Sequence, residues 1–222
     1  AYEIGSGLVG SEMCIRDRGT YASFLTAGQC TPGKDTILFI DPGFPVQKQQ
    51  IAVMGYKYES FDVYEYRGER LREALETHLS KGNIAAMIYS NPNNPAWFCL
   101  TDEELKIIGE MANKYDVIVI EDLAYFAMDF RKDLSHPGKA PFQPTVAKYT
   151  DNYIFMISSS KLFSYAGQRL GLLCISDALF HKKYEHLKDV EATLLRIGEK
   201  IMNGRLVLPR CRRLLLCRSS RT

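Results

Sequence analysis

The sequence predicts an α/β domain, a mostly parallel sheet with helices on both faces. Three observations predict it. Short apolar runs recur between residues 36 and 175, stretches of helical periodicity fall between them, and the runs empty into turn-forming or polar residues. Runs that are continuously apolar, rather than alternating, suit strands buried on both faces. Their alternation with helices is the pattern of parallel strands joined by crossovers.

Taken in order, the pattern gives a strand at 36–40, a helix near 45–54, a strand at 56–61 and a helix at 70–79. Residues 85–90 form a short apolar run that reads as a buried strand. It ends in Asn91-Pro92-Asn93-Asn94-Pro95, which can continue neither helix nor strand because proline lacks an amide donor. Thr101-Asp102-Glu103-Glu104 then opens an amphipathic helix through Tyr115, with Thr101 as N-cap and Glu104 completing a capping box. Residues 116–121 are a second buried strand, ending at Asp122-Leu123-Ala124-Tyr125. The segment 131–147, rich in proline and lysine, is a loop that acts either as a mobile cover or as passive surface. Residues 153–157 make another buried strand, delivering Ser158 to Lys161 at its exit, and 170–175 a further strand. No internal repeat is visible.

Chemistry concentrates at three of these strand ends. Lys161 stands among small hydroxyls, with Arg169 eight residues downstream. Ser-Ser-Ser-Lys alone would fit any surface loop. Beside a guanidinium able to hold a dianion, however, such an amine suits imine formation with an aldehyde cofactor that carries its own phosphate, and pyridoxal 5′-phosphate is one. Upstream, an amide and a carboxylate with a phenol complete what a pyridinium ring needs. An ionised Asp122 would keep the ring nitrogen protonated, so that the ring accepts electrons from a substrate carbanion. Asn94 and Tyr125 could donate hydrogen bonds to the ring's phenolate oxygen. Lys161 would hold the cofactor and later move protons.

In order and spacing, Asn91-Pro92-Asn93-Asn94-Pro95, Asp122 with Tyr125, and Ser158, Ser160, Lys161 and Arg169 resemble a fold-type-I, class I/II pyridoxal-phosphate-dependent aminotransferase over roughly residues 19–195. The resemblance implies the large domain of such an enzyme, with the small domain largely absent. By its terms Lys161 forms the internal aldimine, Asp122 pairs with the pyridine nitrogen, and Asn94 and Tyr125 contact the ring oxygen. Ser158 and Arg169 bind phosphate, with Ser160 in the same cofactor-binding motif. Asp41-Pro42-Gly43-Phe44-Pro45 is similar to the segment that places an aromatic over the ring; Phe44 either stacks there or belongs to the core. One departure is visible. Many members follow the second asparagine with Pro-Thr-Gly, whereas this chain has Pro95-Ala96-Trp97, and Trp97 either lines the substrate side of the pocket or covers the start of the next helix. The implied reaction is transamination between an amino acid and a 2-oxo acid, in a homodimer. The same scaffold hosts lyases and decarboxylases, and an inactive fragment is the other alternative.

Both ends differ from the middle. Gly7-Leu8-Val9-Gly10-Ser11-Glu12-Met13-Cys14-Ile15-Arg16-Asp17 is similar to translated sequencing-adaptor read-through, so residues 1–18 are expected to be non-native. The family's phosphate cup would lie just upstream of Gly19, where it is expected to be missing or overwritten. From Arg196 onward eight basic residues face Glu199 alone, so this tail carries +7 of a net +2 and the rest carries −5. Residues 196–222 are expected to be a non-native basic tail or the start of a truncated small domain, and no residue here can be assigned the family's arginine for the substrate carboxylate. A nucleic-acid arm would need aromatic or amphipathic support that the tail lacks. Six scattered cysteines show no metal-ligand spacing, which fits reduced thiols in a cytoplasm. No metal site, membrane anchor or nucleic-acid partner is expected.

Overall fold

The computed structural model describes residues 23, 24, 27, 28, 30–134, 136, 138–166 and 171–181. The expectations for residues 1–18, the phosphate cup, Arg169 and the tail at 196–222 lie outside them. The elements are β1 (Thr36–Asp41), α1 (Val46–Val53), β2 (Lys57–Asp62), α2 (Arg70–Leu79), β3 (Ile84–Ser90), α3 (Asp102–Tyr115), β4 (Ile118–Leu123), β5 (Tyr153–Ser158), α4 (Ser159–Leu162), β6 (Gly171–Ile175) and α5 (Asp177–His181), with short 3-10 turns at Val63–Tyr66 and Val146–Lys148.

Six strands form one sheet in the order β2-β1-β3-β4-β5-β6. Every neighbouring pair is parallel except β5 with β6, so the mostly parallel sheet is as expected. The continuous apolar runs divide between two cores with a period of two. Leu38, Ile40, Met87, Val117 and Val119 pack with Leu71 and Leu75 of α2 and Leu105 and Ile108 of α3. Their neighbours Ile37, Phe39, Ala86, Ile88, Ile118 and Ile120 pack on the other face with Ile51 of α1 and with Phe24. Helices therefore cover both faces, and the buried residues of the central strands divide between the two layers.

The helix at α3 is fixed by short-range chemistry. The Thr101 hydroxyl accepts from the Glu104 amide, and the Glu104 carboxylate accepts from the Thr101 amide, so the capping box forms. At the other end Asp116 adopts the left-handed conformation as C-cap. This corrects the expected strand start: residue 116 closes the helix and β4 begins at Ile118. Gly109 faces the 3-10 turn so closely that a β-carbon would lie 2.5 Å from the Tyr149 β-carbon, and only glycine fits.

Candidate active site

Register brings the three chemical strand ends together. Ser90 of β3 lies opposite Asp122 of β4, and Asp122 lies opposite Met156 of β5. Because all three strands are parallel, residues 91–94, 122–125 and 158–161 leave the sheet side by side at its carboxyl edge. The chain reverses its direction of travel across the sheet between β1 and β3. Open α/β sheets bind ligands at such a switch point, outside the strands' carboxyl ends. Here the two loops are tied across it, since the Asn93 Nδ2 donates to the Pro42 carbonyl at 2.8 Å.

Asp122 is the buried acid of this edge, 2% exposed. Period-two alternation aims it to the same face as Ile118 and Ile120, toward α1. There its Oδ2 accepts from Gln47 Nε2 at 3.0 Å, while Oδ1 accepts from the Ala124 amide at 3.0 Å. Glu121, one residue earlier, points to the opposite face and is fully buried. It accepts from Asn91 Nδ2 at 3.3 Å and from the Val146 amide at 3.0 Å. Burial pushes its carboxyl up to about 7, against the lowering effect of those donors. The buried Tyr89 hydroxyl faces Glu121 without reaching hydrogen-bonding geometry.

The asparagines divide their labour. Asn91 and Asn93 are buried scaffold: Asn91 Oδ1 accepts from the Leu100 amide, and Asn93 Oδ1 from the Ala96 amide. Asn94 is half-buried, with its backbone amide donating to Ser90 Oγ at 3.1 Å. At the exit of β5, Ser158 Oγ accepts from the Ser160 amide and caps the single turn of α4 that carries Lys161, which is exposed. Ser158 thus already spends one acceptor on the backbone; its hydroxyl hydrogen remains the group it could offer a phosphate.

Phe44 is half-buried and joins neither core layer, and its carbonyl accepts from the Gln47 amide at 3.1 Å. Trp97 turns toward Tyr125, edge-on with centroids 5.3 Å apart, and stacks on Phe130 at 6.3 Å. The loop 131–147 is pinned near its end, where Gln143 Nε2 donates to the Asn91 carbonyl at 2.9 Å. Beside this edge lies a cavity of about 360 Å³, lined by Asn91, Cys99, Asp129, Arg131 and Gln143, none of them among the predicted site residues.

Of the predicted residues, Phe44, Asn94, Asp122, Tyr125, Ser158, Ser160 and Lys161 all lie at the exits of β1, β3, β4 and β5, and Arg169 lies outside the described residues. Gln47 and Glu121 carry no sequence signal that marks them. Gln47 sits in a polar run, and a carboxylate inside an apolar strand is noticeable only once its face is known. Among the described residues no group of His, Cys, Asp and Glu could hold a metal ion, and no helix is long and apolar enough to cross a membrane.

A doubly wound α/β sheet with an acid, amides and a lysine at its carboxyl edge has the layout at which open α/β sheets bind ligands, and sequence comparison narrows the class. Residues 17–197 match the family described as aminotransferase class I and II, and the chain belongs to it. Among its relatives, nicotianamine aminotransferase 1 from Oryza sativa subsp. japonica is 32% identical over 66% of this chain and 28% of its own length. Glutamate-pyruvate aminotransferase AlaC from Escherichia coli is 28% identical over 63% of this chain and 32% of its own. The chain thus spans about a third of the length of these curated relatives. Cystalysin from Treponema denticola, whose structure contains pyridoxal 5′-phosphate, shares the fold with a TM-score of 0.56 at 19% identity, covering 72% of this chain and 40% of that one.

Proposed function

We propose that residues 19–195 are the cofactor-binding large domain of a cytoplasmic, homodimeric pyridoxal-phosphate-dependent aminotransferase that moves an amino group between an amino acid and a 2-oxo acid. The observation that carries this reading is the convergence of Asp122, Asn94, Tyr125 and Lys161 at adjacent strand ends. The donor set fits the group: a buried carboxylate for the ring nitrogen, an amide and a phenol for the ring oxygen, and a primary amine for the aldehyde.

Bound there, the cofactor supplies an electron sink for charge developing at the substrate's α-carbon. Asp122 holds the proton on the ring nitrogen. Asn94 and Tyr125 would donate to its ring oxygen, Phe44 would cover the ring, and Ser158, Ser160 and Arg169 would hold its phosphate. Lys161 Nζ is the primary amine that would take the cofactor's aldehyde, and it would hold or move the proton at the substrate's α-carbon.

A second reading, carbon–sulfur bond cleavage by the same residues, is supported by relatives that include cystathionine beta-lyase PatB from Bacillus subtilis, 29% identical over 50% of this chain. The two separate on substrate. Purified chain loaded with pyridoxal 5′-phosphate is offered alanine with 2-oxoglutarate, or cystathionine. Glutamate formation supports transamination and thiol release supports lysis. A Lys161-dependent visible band without either product identifies a cofactor-binding piece of the enzyme. Absence of any band in the unmutated chain contradicts the proposal.

A further inference from the structure

We infer that Gln47 is a positioning residue of this cofactor site, acting on the ring nitrogen through Asp122; the inference rests on the function proposed above and adds a residue to it. Gln47 lies in the first turn of α1, in the polar run Val46-Gln47-Lys48-Gln49-Gln50, yet it is only 4% exposed. A glutamine carboxamide is buried at a cost unless it finds partners. Its Nε2 donates to Asp122 Oδ2 at 3.0 Å across 75 residues of sequence.

That bond has two consequences for the acid. With the Ala124 amide on Oδ1 at 3.0 Å, the carboxylate is gripped at both oxygens, which fixes the plane it presents. The donor is neutral, so it orients Asp122 without neutralising the charge that the ring nitrogen requires. The cation next in sequence, Lys48, is directed instead to Asp41. The backbone amide of Gln47 also donates to the Phe44 carbonyl at 3.1 Å. One residue therefore links the group expected against the ring face to the group expected on the ring nitrogen, and it does so from a helix rather than a loop.

The test uses the full chain with Gln47→Leu, Gln47→Glu and Asp122→Asn, singly and combined, each checked for folding by circular dichroism. Pyridoxal 5′-phosphate affinity is measured by titration, and the bound cofactor's visible spectrum is followed against pH. Gln47→Leu is expected to weaken binding by roughly tenfold or more, the scale of one buried hydrogen bond to a charged group, and to shift the pH at which the spectrum changes. Gln47→Glu, which sets a second carboxylate against the first, is expected to weaken binding further. In the Asp122→Asn background Gln47→Leu should add little. A second measurement guards against lost binding: in the cofactor-free state, the urea midpoints of the unmutated chain, Gln47→Leu, Asp122→Asn and their double variant should show coupling between the two sites. Equal losses in both backgrounds, an unchanged affinity and pH profile, or additive urea midpoints overturn the role of Gln47. Failure of the unmutated chain to bind cofactor is a different result, which rejects the proposed function and this role with it.

Discussion

Trp97 stands edge-on to Tyr125, with ring centroids 5.3 Å apart, and reaches that position from a left-handed backbone at φ 53. Trp97 stands where the family resemblance led us to expect glycine, and its backbone lies in the left-handed region that glycine adopts without strain. An L-residue there costs about 1 kcal/mol. Offset against it are the contacts with Tyr125 and Phe130, each aromatic pair contributing about 0.5–1.5 kcal/mol. Trp97 therefore steadies Tyr125, which is expected to contact the ring oxygen.

This makes the order of two variants predictable. Trp97→Ala loses the ring contacts and keeps the strain, whereas Trp97→Gly loses the contacts and relieves it. Trp97→Gly should be more stable than Trp97→Ala by about 1 kcal/mol in urea denaturation. The reverse order would mean that residue 97 is not held at positive φ.

The features legible in the sequence are those written in short-range chemistry. Thr101 and Glu104 lie three residues apart, so their reciprocal capping follows from the letters alone. Buried strands of four to seven apolar residues are similarly local. The start of β4 is misplaced by two residues because Asp116, which resembles a strand opener, closes α3 in a left-handed conformation instead. The antiparallel direction of β6 is not legible because an apolar pattern reads the same both ways along a strand. Candidate residues within the strand-exit motifs can be picked out from the letters, but Gln47 meets Asp122 across 75 residues and Arg67 meets Glu104 across 37. Such contacts exist only after the sheet has been assembled.

Glu104 predicts an acid limb in stability. It is 1% exposed. Burial opposes its ionisation, but paired bonds from the Arg67 guanidinium at 2.6 and 2.8 Å, with the Gly68 and Thr101 amides, outweigh burial and hold its carboxyl at about 2. A folded-state value below the ordinary 4.5 stabilises the protein above about pH 5, and that stability is lost as pH falls toward 2. Glu104→Gln should cost about 3 kcal/mol at pH 7 and little near pH 2. Chemical denaturation of both proteins across this range checks it; an equal loss at both ends would rule out the ion pair as the cause.

Glu121 predicts a slope of opposite sign. Its carboxyl is raised by burial to about 7 from 4.5, so the folded state holds a proton that the unfolded chain releases between these values. Stability should fall by about 3 kcal/mol as pH rises from about 4.5 to about 7 and then level off. Glu121→Gln should remove this slope. A variant whose stability still falls across that interval would exclude Glu121 as its source.

The central claim is tested most directly by where a cofactor attaches. The full chain is mixed with pyridoxal 5′-phosphate, reduced with borohydride, digested and mapped by mass spectrometry, with Lys161→Ala alongside. The account predicts a reduced adduct concentrated on the peptide containing Lys161, abolished in the variant and weakened by Asp122→Ala. An adduct spread evenly over surface lysines and indifferent to both substitutions would contradict it.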